Sequence, residues 1–222
     1  NQSESESAFQ IVKALRGLGR IDDALHELDP IARGENQQFA RPSLHLIREI
    51  HTDLNTNQSL EYFDNIIEKN PEDSVVYYLR GLAHLERGNA SDAILDFEEA
   101  RQLGLRQTTV LADAAYARLQ AGDTDGIGAL FVAVEEEPQN PLFRAYLSEN
   151  IFESSRRRPY IDREGFDRAI VQSRIAIQLD PNLGLAYLVQ AKVFLALQLE
   201  ESAKAALGPI SGLELPTASH YI

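Results

Sequence analysis

The sequence contains no cysteine. That absence removes disulfides, thiolate metal sites and cysteine nucleophiles, while saying little about compartment. No stretch approaches the roughly 18 uninterrupted apolar residues of a membrane span, and the N-terminus lacks the basic-then-apolar form of a secretion signal. Direct membrane insertion is therefore not expected of this soluble chain. It begins at Asn1 rather than at a methionine, so upstream sequence is expected in the natural protein, and the compartment, cytoplasmic or exported, stays open. Positive charge is also scarce. With 21 Lys and Arg against 34 Asp and Glu, the net charge is −13, and a molecule so acidic is repelled as a whole by nucleic acid and anionic lipid. A local basic patch could still act alone.

What is present is ordinary for a globular protein: 222 residues, 44% hydrophobic and 25% charged, enough to bury a core. The informative feature is a repeat. A small residue early in a putative second helix is followed four residues later by a large apolar one and three after that by a small or aliphatic one, as in Ala93-Phe97-Ala100. The series reads Ala24-Leu28-Ile31, Ser59-Phe63-Ile66, Ala93-Phe97-Ala100, Ile127-Phe131-Val134, Ala169-Ser173-Ala176 and Ala203-Leu207-Ile210. The steps are 35, 34, 34, 42 and 34 residues, one period with a single insertion. Turn glycines at Gly19, Gly88 and Gly122 keep the same phase, where the left-handed conformation ends a helix. Pro71, Pro138 and Pro181 follow the second helices, and proline, lacking an amide, suits the start of the next helix. An irregular helical bundle is the alternative, and it must explain five spacings of which three are identical.

The stretch "YYLRGLAHLERGNASDAILDFEEA" and its weaker copy "DPNLGLAYLVQAKVFLALQLEESAKAAL" resemble the tetratricopeptide repeat. The resemblance implies an all-α fold, an α-α superhelix of about 12 short helices, as one solenoid domain over 1–222. The repeats fall at approximately 5–38, 40–73, 74–107, 108–141, 142–183 with an insertion at 153–165, and 184–217. Ile127, Ser59 and Ser173 depart from the motif, and those repeats are expected to be looser or differently angled. Helices this short are marginal alone, so stability is expected to come from stacking of neighbouring pairs.

In the geometry the resemblance implies, first helices line a concave groove, and function lies there. The expected function is a noncatalytic scaffold or adaptor holding a peptide or protein partner, or else the repeat region of a larger protein whose activity lies elsewhere. Lys13, Arg16, Arg41, His45 and Arg48 form a basic stripe, suited to an anionic part of the partner because arginine supplies forked donors; the alternative is a solvated face. Tyr78, Leu82, Tyr116, Tyr146 and Glu149 continue the same face, with about half of its aromatics expected to be buried between helices. The family's clamp for chaperone C-termini is absent: its asparagine positions hold Lys13 and His45, or Leu82 and Asp113, or Tyr116 and Tyr146.

No catalytic, metal or cofactor site is expected. The five histidines show no ligand spacing, and the carboxylates at Glu98-Glu99 and Glu135 to Glu137 fall on second helices as solvated charge. The insertion, with Arg156, Arg157 and Arg158, either docks an acidic partner or extends the preceding helix with its arginines solvated or paired to Asp162 and Glu164. Finally, Leu207, Ile210, Leu213 and Leu215 leave the last helix without a polar cap. Either the natural protein continues past Ile222 or the end is covered, for instance in a homodimer.

Overall fold

The computed structural model of the chain describes residues 2–32, 39, 42, 43, 46, 50 and 56–210. Among these are eleven α-helices and no strand: α1 Gln2–Gly17, α2 Ile21–Ala32, α3 Thr56–Lys69, α4 Ser74–Glu86, α5 Ala90–Gln102, α6 Thr108–Gln120, α7 Ile127–Glu136, α8 Pro141–Arg156, α9 Arg163–Leu179, α10 Gly184–Ala196 and α11 Glu200–Leu207. Contacts divide the chain into two units, Asn1–Ala114 and Ala115–Ile222, with the division inside α6.

Helix ends follow local chemistry. Asp73 caps α4 by accepting from the amides of Val75 and Val76, and Asn140 caps α8 by accepting from those of Leu142 and Phe143. Such caps satisfy donors that have no partner within the helix. Pro71, Pro138 and Pro181 lie in the preceding turns; the proline that opens a helix is Pro141, the first residue of α8. Gly19, Gly88 and Gly122 have φ of 72°, 76° and 90°. At the end of α10 the same turn is made by Gln198 at φ 60°, closed by Leu199 N–H donating to Phe194 O, just as Asn89 N–H donates to His84 O after α4.

In the first unit α1 packs on α2, and α4 packs on both α3 and α5. Its core includes Leu28, Phe63, Phe97 and Ala100, all fully buried. Arg80 on α4 ties three helices together, donating from Nη1 to Asp64 at 2.7 Å and from Nε and Nη2 to Asp96 at 2.9 and 2.7 Å. The Asp96 bonds, foremost, raise the guanidinium pKa. Gln107 Nε2 donates to Ala32 O at 2.9 Å. That buried bond joins residues 75 positions apart, a longer reach than stacking of adjacent pairs alone supplies.

In the second unit each helix from α7 to α11 packs on the next, and α8 also meets α10. First helices of successive pairs thus touch, as a stacked repeat requires.

One element departs from the sequence reading. In the fourth pair the residues that pack are Gly126, Leu130 and Ala133, all buried, one position before the expected Ile127, Phe131 and Val134. The cause is the close approach of α6. A Cβ on Gly126 would lie 3.1 Å from Ala115 Cα, Cβ and O, so the small residue of this crossing is the glycine, and the isoleucine after it takes the adjoining, half-buried position. Phe131 is consequently 42% exposed.

Candidate functional site

The first helices carry polar and aromatic links from one pair to the next. In the first unit the Tyr78 hydroxyl donates to Asp113 Oδ2 at 2.8 Å, both residues being fully buried. In the second unit the Tyr116 and Tyr146 rings stack with centroids 3.9 Å apart and planes 10° from parallel. Three residues on from Tyr146, Glu149 Oε1 accepts from Lys192 Nζ at 2.7 Å, joining α8 to α10. Tyr146, Glu149 and Asn150 share one face of α8 by their spacing, and all three are buried.

The expected site residues therefore separate into three groups. Lys13 is exposed and Arg16 half-buried on α1. Arg41, His45 and Arg48 lie outside the described residues. Tyr78, Leu82, Tyr116, Tyr146 and Glu149 are all buried, more than the half expected of the aromatics. Their apolar surface is used between helices, because the small residues beside them let the backbones come close: a Cβ on Gly81 would meet the Phe97 ring at 2.6 Å.

Sequence reasoning missed Asn150. It is fully buried, and its Oδ1 accepts from Ser154 Oγ at 3.5 Å, but its Nδ2 has no hydrogen-bond partner among the described residues, nor does Glu149 Oε2. Burial of polar groups without partners costs free energy. Adjacent Glu149 and Asn150, three and four residues after Tyr146 on one first-helix face, were the signal available.

The insertion extends α8 to Arg156 and turns back into α9. Arg156 donates to Glu153, Arg157 to the carbonyl of Gly122, and Arg158 to Asp162 at 3.1 Å and to the Tyr160 hydroxyl. All three arginines thus have partners within the chain while remaining exposed. Asp162 caps α9, its Oδ1 accepting from Gly165 N–H at 3.1 Å. That bond, with help from Ser155 and Arg158, lowers the carboxyl pKa against a desolvation that raises it.

Other groups named from the sequence have structural surroundings. His84 lies 3.8 Å from Asp96 and 3.9 Å from Asp92. Glu135 and Glu136 are exposed, while Glu98, Glu99 and Glu137 are half-buried. Among the described residues no three His, Asp or Glu side chains are grouped to hold a metal ion, and no helix is long and apolar enough to cross a membrane. At the C-terminal end Ile210 is buried and Leu207 half-buried; Leu213 and Leu215 lie outside the described residues.

No protein-family model matches the sequence, and no curated protein matches it. Solved structures do. A tetratricopeptide repeat protein from Parabacteroides merdae superposes over 97% of this chain and 82% of its own, at 17% identity and a TM-score of 0.59. A monomeric mutant of IFIT1 with Gppp-AAAA superposes over 84% of this chain and 45% of its own, at 16% identity and a TM-score of 0.56. A MamA protein is similar over 94% of this chain and 93% of its own, at 14% identity and a TM-score of 0.49. The first of these, with the helix-turn-helix order above, establishes the tetratricopeptide-repeat fold.

Proposed function

We propose that this chain is a noncatalytic protein-interaction scaffold that holds an extended peptide against its first helices. The observation that carries this reading is the unmet hydrogen-bonding capacity on α8. Glu149 Oε2 needs a donor and Asn150 Nδ2 needs an acceptor, and an extended peptide backbone presents one of each. Both atoms are shielded from solvent, and Lys192, which is 32% exposed and bonds the other oxygen of Glu149, links this pair to the surface. The stacked Tyr116 and Tyr146 rings next to them give a rigid apolar support. Lys13 and Arg16, with Arg41, His45 and Arg48, are the proposed contact for an anionic part of the partner. A noncatalytic role is consistent with buried carboxylates being engaged in structural bonds, Asp96 to Arg80 and Asp113 to Tyr78.

Asn150→Leu tests the reading, because it removes a buried unsatisfied donor. The fold should be at least as stable as wild type, while retention of peptides on a synthetic array falls. A purely structural asparagine gives the opposite, lower stability and unchanged binding, and that result overturns the groove site. An array on which neither protein retains any peptide overturns the scaffold reading itself. Reversing Lys13 and Arg16 to glutamate should selectively weaken the acidic peptides and flatten the salt dependence of their binding.

A further inference from the structure

We propose that the groove between α7 and α9 is a second docking site, and that its occupant is a short basic amphipathic helix from a partner protein. This site is distinct from the first-helix groove and does not depend on it.

The starting point is the one-residue shift in α7. With Leu130 in the packing position, Phe131 stands where three of the other second helices carry Asp64, Glu98 and Arg174. Those charges are half-buried or exposed, as suits a face turned toward water. Phe131 is the one exposed phenylalanine among the described residues. The fully buried packing of α7 rests on Leu130 and Ala133, and Phe131 leaves 42% of its surface open.

Phe131 does not stand alone. It lines an open depression of about 420 Å³ with Val171, itself 50% exposed, over the buried Ile151 of α8. A second depression of about 320 Å³ adjoins it, sharing Ile151, Glu164 and Arg168 and reaching Ser154 and Asp162. The first depression, mainly apolar, follows α9 from Glu164 to Gln172, a rise of roughly 12 Å, the length of two to three helical turns, and the second, mainly polar, continues it beyond Arg168 toward Arg158. An apolar floor of that length between two helices receives the apolar stripe of a third, read as side chains at i, i+3, i+4 and i+7.

Charge selects the helix. The apolar depression is lined by Glu164 and Asp167 against Arg168, and Glu135, one turn beyond Phe131, is exposed. Arg144 reaches the far end of the depression, donating to Gln172 at 3.0 Å, and at the other end Arg158 is paired with Asp162, which leaves Glu135, Glu164 and Asp167 against Arg144 and Arg168. The rim therefore carries an excess of carboxylate on a chain of net charge −13, and lysines or arginines flanking the partner's apolar stripe complement it, whereas an acidic helix is repelled.

The probes are two synthetic amphipathic helices of about 18 residues, one of leucine and lysine and its twin of leucine and glutamate, titrated into the full chain and followed by backbone amide NMR. The lysine peptide should shift amides of α7 and of the first three turns of α9, and the glutamate peptide should not. Phe131→Asp should weaken the lysine peptide at least about tenfold while the helical spectrum is retained, since the fully buried contacts of α7 are made by Leu130 and Ala133. Asp167→Lys should weaken the lysine peptide and let the glutamate peptide bind. Equal binding of both peptides, shifts confined to other helices, or binding indifferent to Phe131→Asp overturns the proposal, as does failure of the lysine peptide to bind. Sedimentation showing a dimer that Phe131→Asp dissociates also overturns it, since the occupant is then a second copy of this chain.

Discussion

The crossing of α4 with α5 and the crossing of α6 with α7 solve one packing problem in two ways. In the first, the glycine is on the first helix: Gly81 lies so close to the Phe97 ring that a Cβ there would approach Cε1 to 2.6 Å. In the second, Ala115 stands on the first helix and the glycine, Gly126, opens the second. Close approach needs one very small residue, and either helix can supply it. The choice has a consequence on the opposite face. When Gly126 takes the crossing, Leu130 replaces an aromatic in the core and Phe131 is delivered to the surface, whereas Phe97 is buried and Glu98 follows it. A shift of one residue in a helix rotates its face by about 100°, enough to exchange a packing residue for a docking one.

The sharpest way to break this comparison is to truncate the two phenylalanines. Phe97→Ala should cost about 3–5 kcal/mol, because it empties a fully buried site, while Phe131→Ala, at a position 42% exposed, should cost no more than about 1 kcal/mol. Parallel urea titrations measure both, and similar losses would mean that Phe131 packs as Phe97 does.

The glycines come next. Gly81→Ala drives a methyl into a buried ring and should cost about 1–3 kcal/mol. Gly126→Ala meets its neighbour at 3.1 Å and should cost less, about 1 kcal/mol, as α6 and α7 yield by a few tenths of an ångström. A reversed order in thermal unfolding would place the tighter crossing at α6 and α7.

A third crossing, α8 with α9, extends the comparison through its acid sensitivity. Here too a glycine opens the second helix, and Asp162 caps it. Its carboxyl pKa is lowered in the folded chain, first by the Gly165 amide, so its stabilisation is complete above the unfolded carboxyl value. It is lost as pH falls below about 4 and through the folded value. Asp162→Asn should lose stability less steeply than wild type in that window, and identical slopes in acid unfolding would remove Asp162 from the cap.

The smallest effect is a gain. Gln198 adopts the left-handed conformation that Gly88 and Gly122 adopt in the corresponding turns, and an L side chain is strained there. Gln198→Gly should therefore stabilise the chain by roughly 0.5–1 kcal/mol, read as a higher melting temperature.

Much of the fold was legible because its signals are local. Glycines at 19, 88 and 122 mark the helix ends, and the 34-residue beat of Ala93-Phe97-Ala100 marks a surface that neighbouring helices share. A further local signal carried the correct register of the fourth pair. Each of the first five small residues is followed by an aliphatic one, Ala24-Leu25, Ser59-Leu60, Ala93-Ile94, Gly126-Ile127 and Ala169-Ile170. Weighing that pair above the equal spacing would have placed Gly126 in the core. Much less of the candidate site could be read. Tyr78, Leu82 and Tyr146 alternate with small residues as groove-lining side chains would, and burial by the next first helix cannot be inferred from one helix's own spacing.

The sequence by itself determined the helices, their ends and the repeating pairs, because capping, left-handed turns and 3.6-residue periodicity act within about one turn of chain. Only the tertiary structure decided which faces are covered. It set Tyr116 against Tyr146, joined Glu149 to Lys192, and turned Phe131 outward. Each of those outcomes depends on how closely two backbones approach, a distance fixed by side chains remote in sequence that fill the same space.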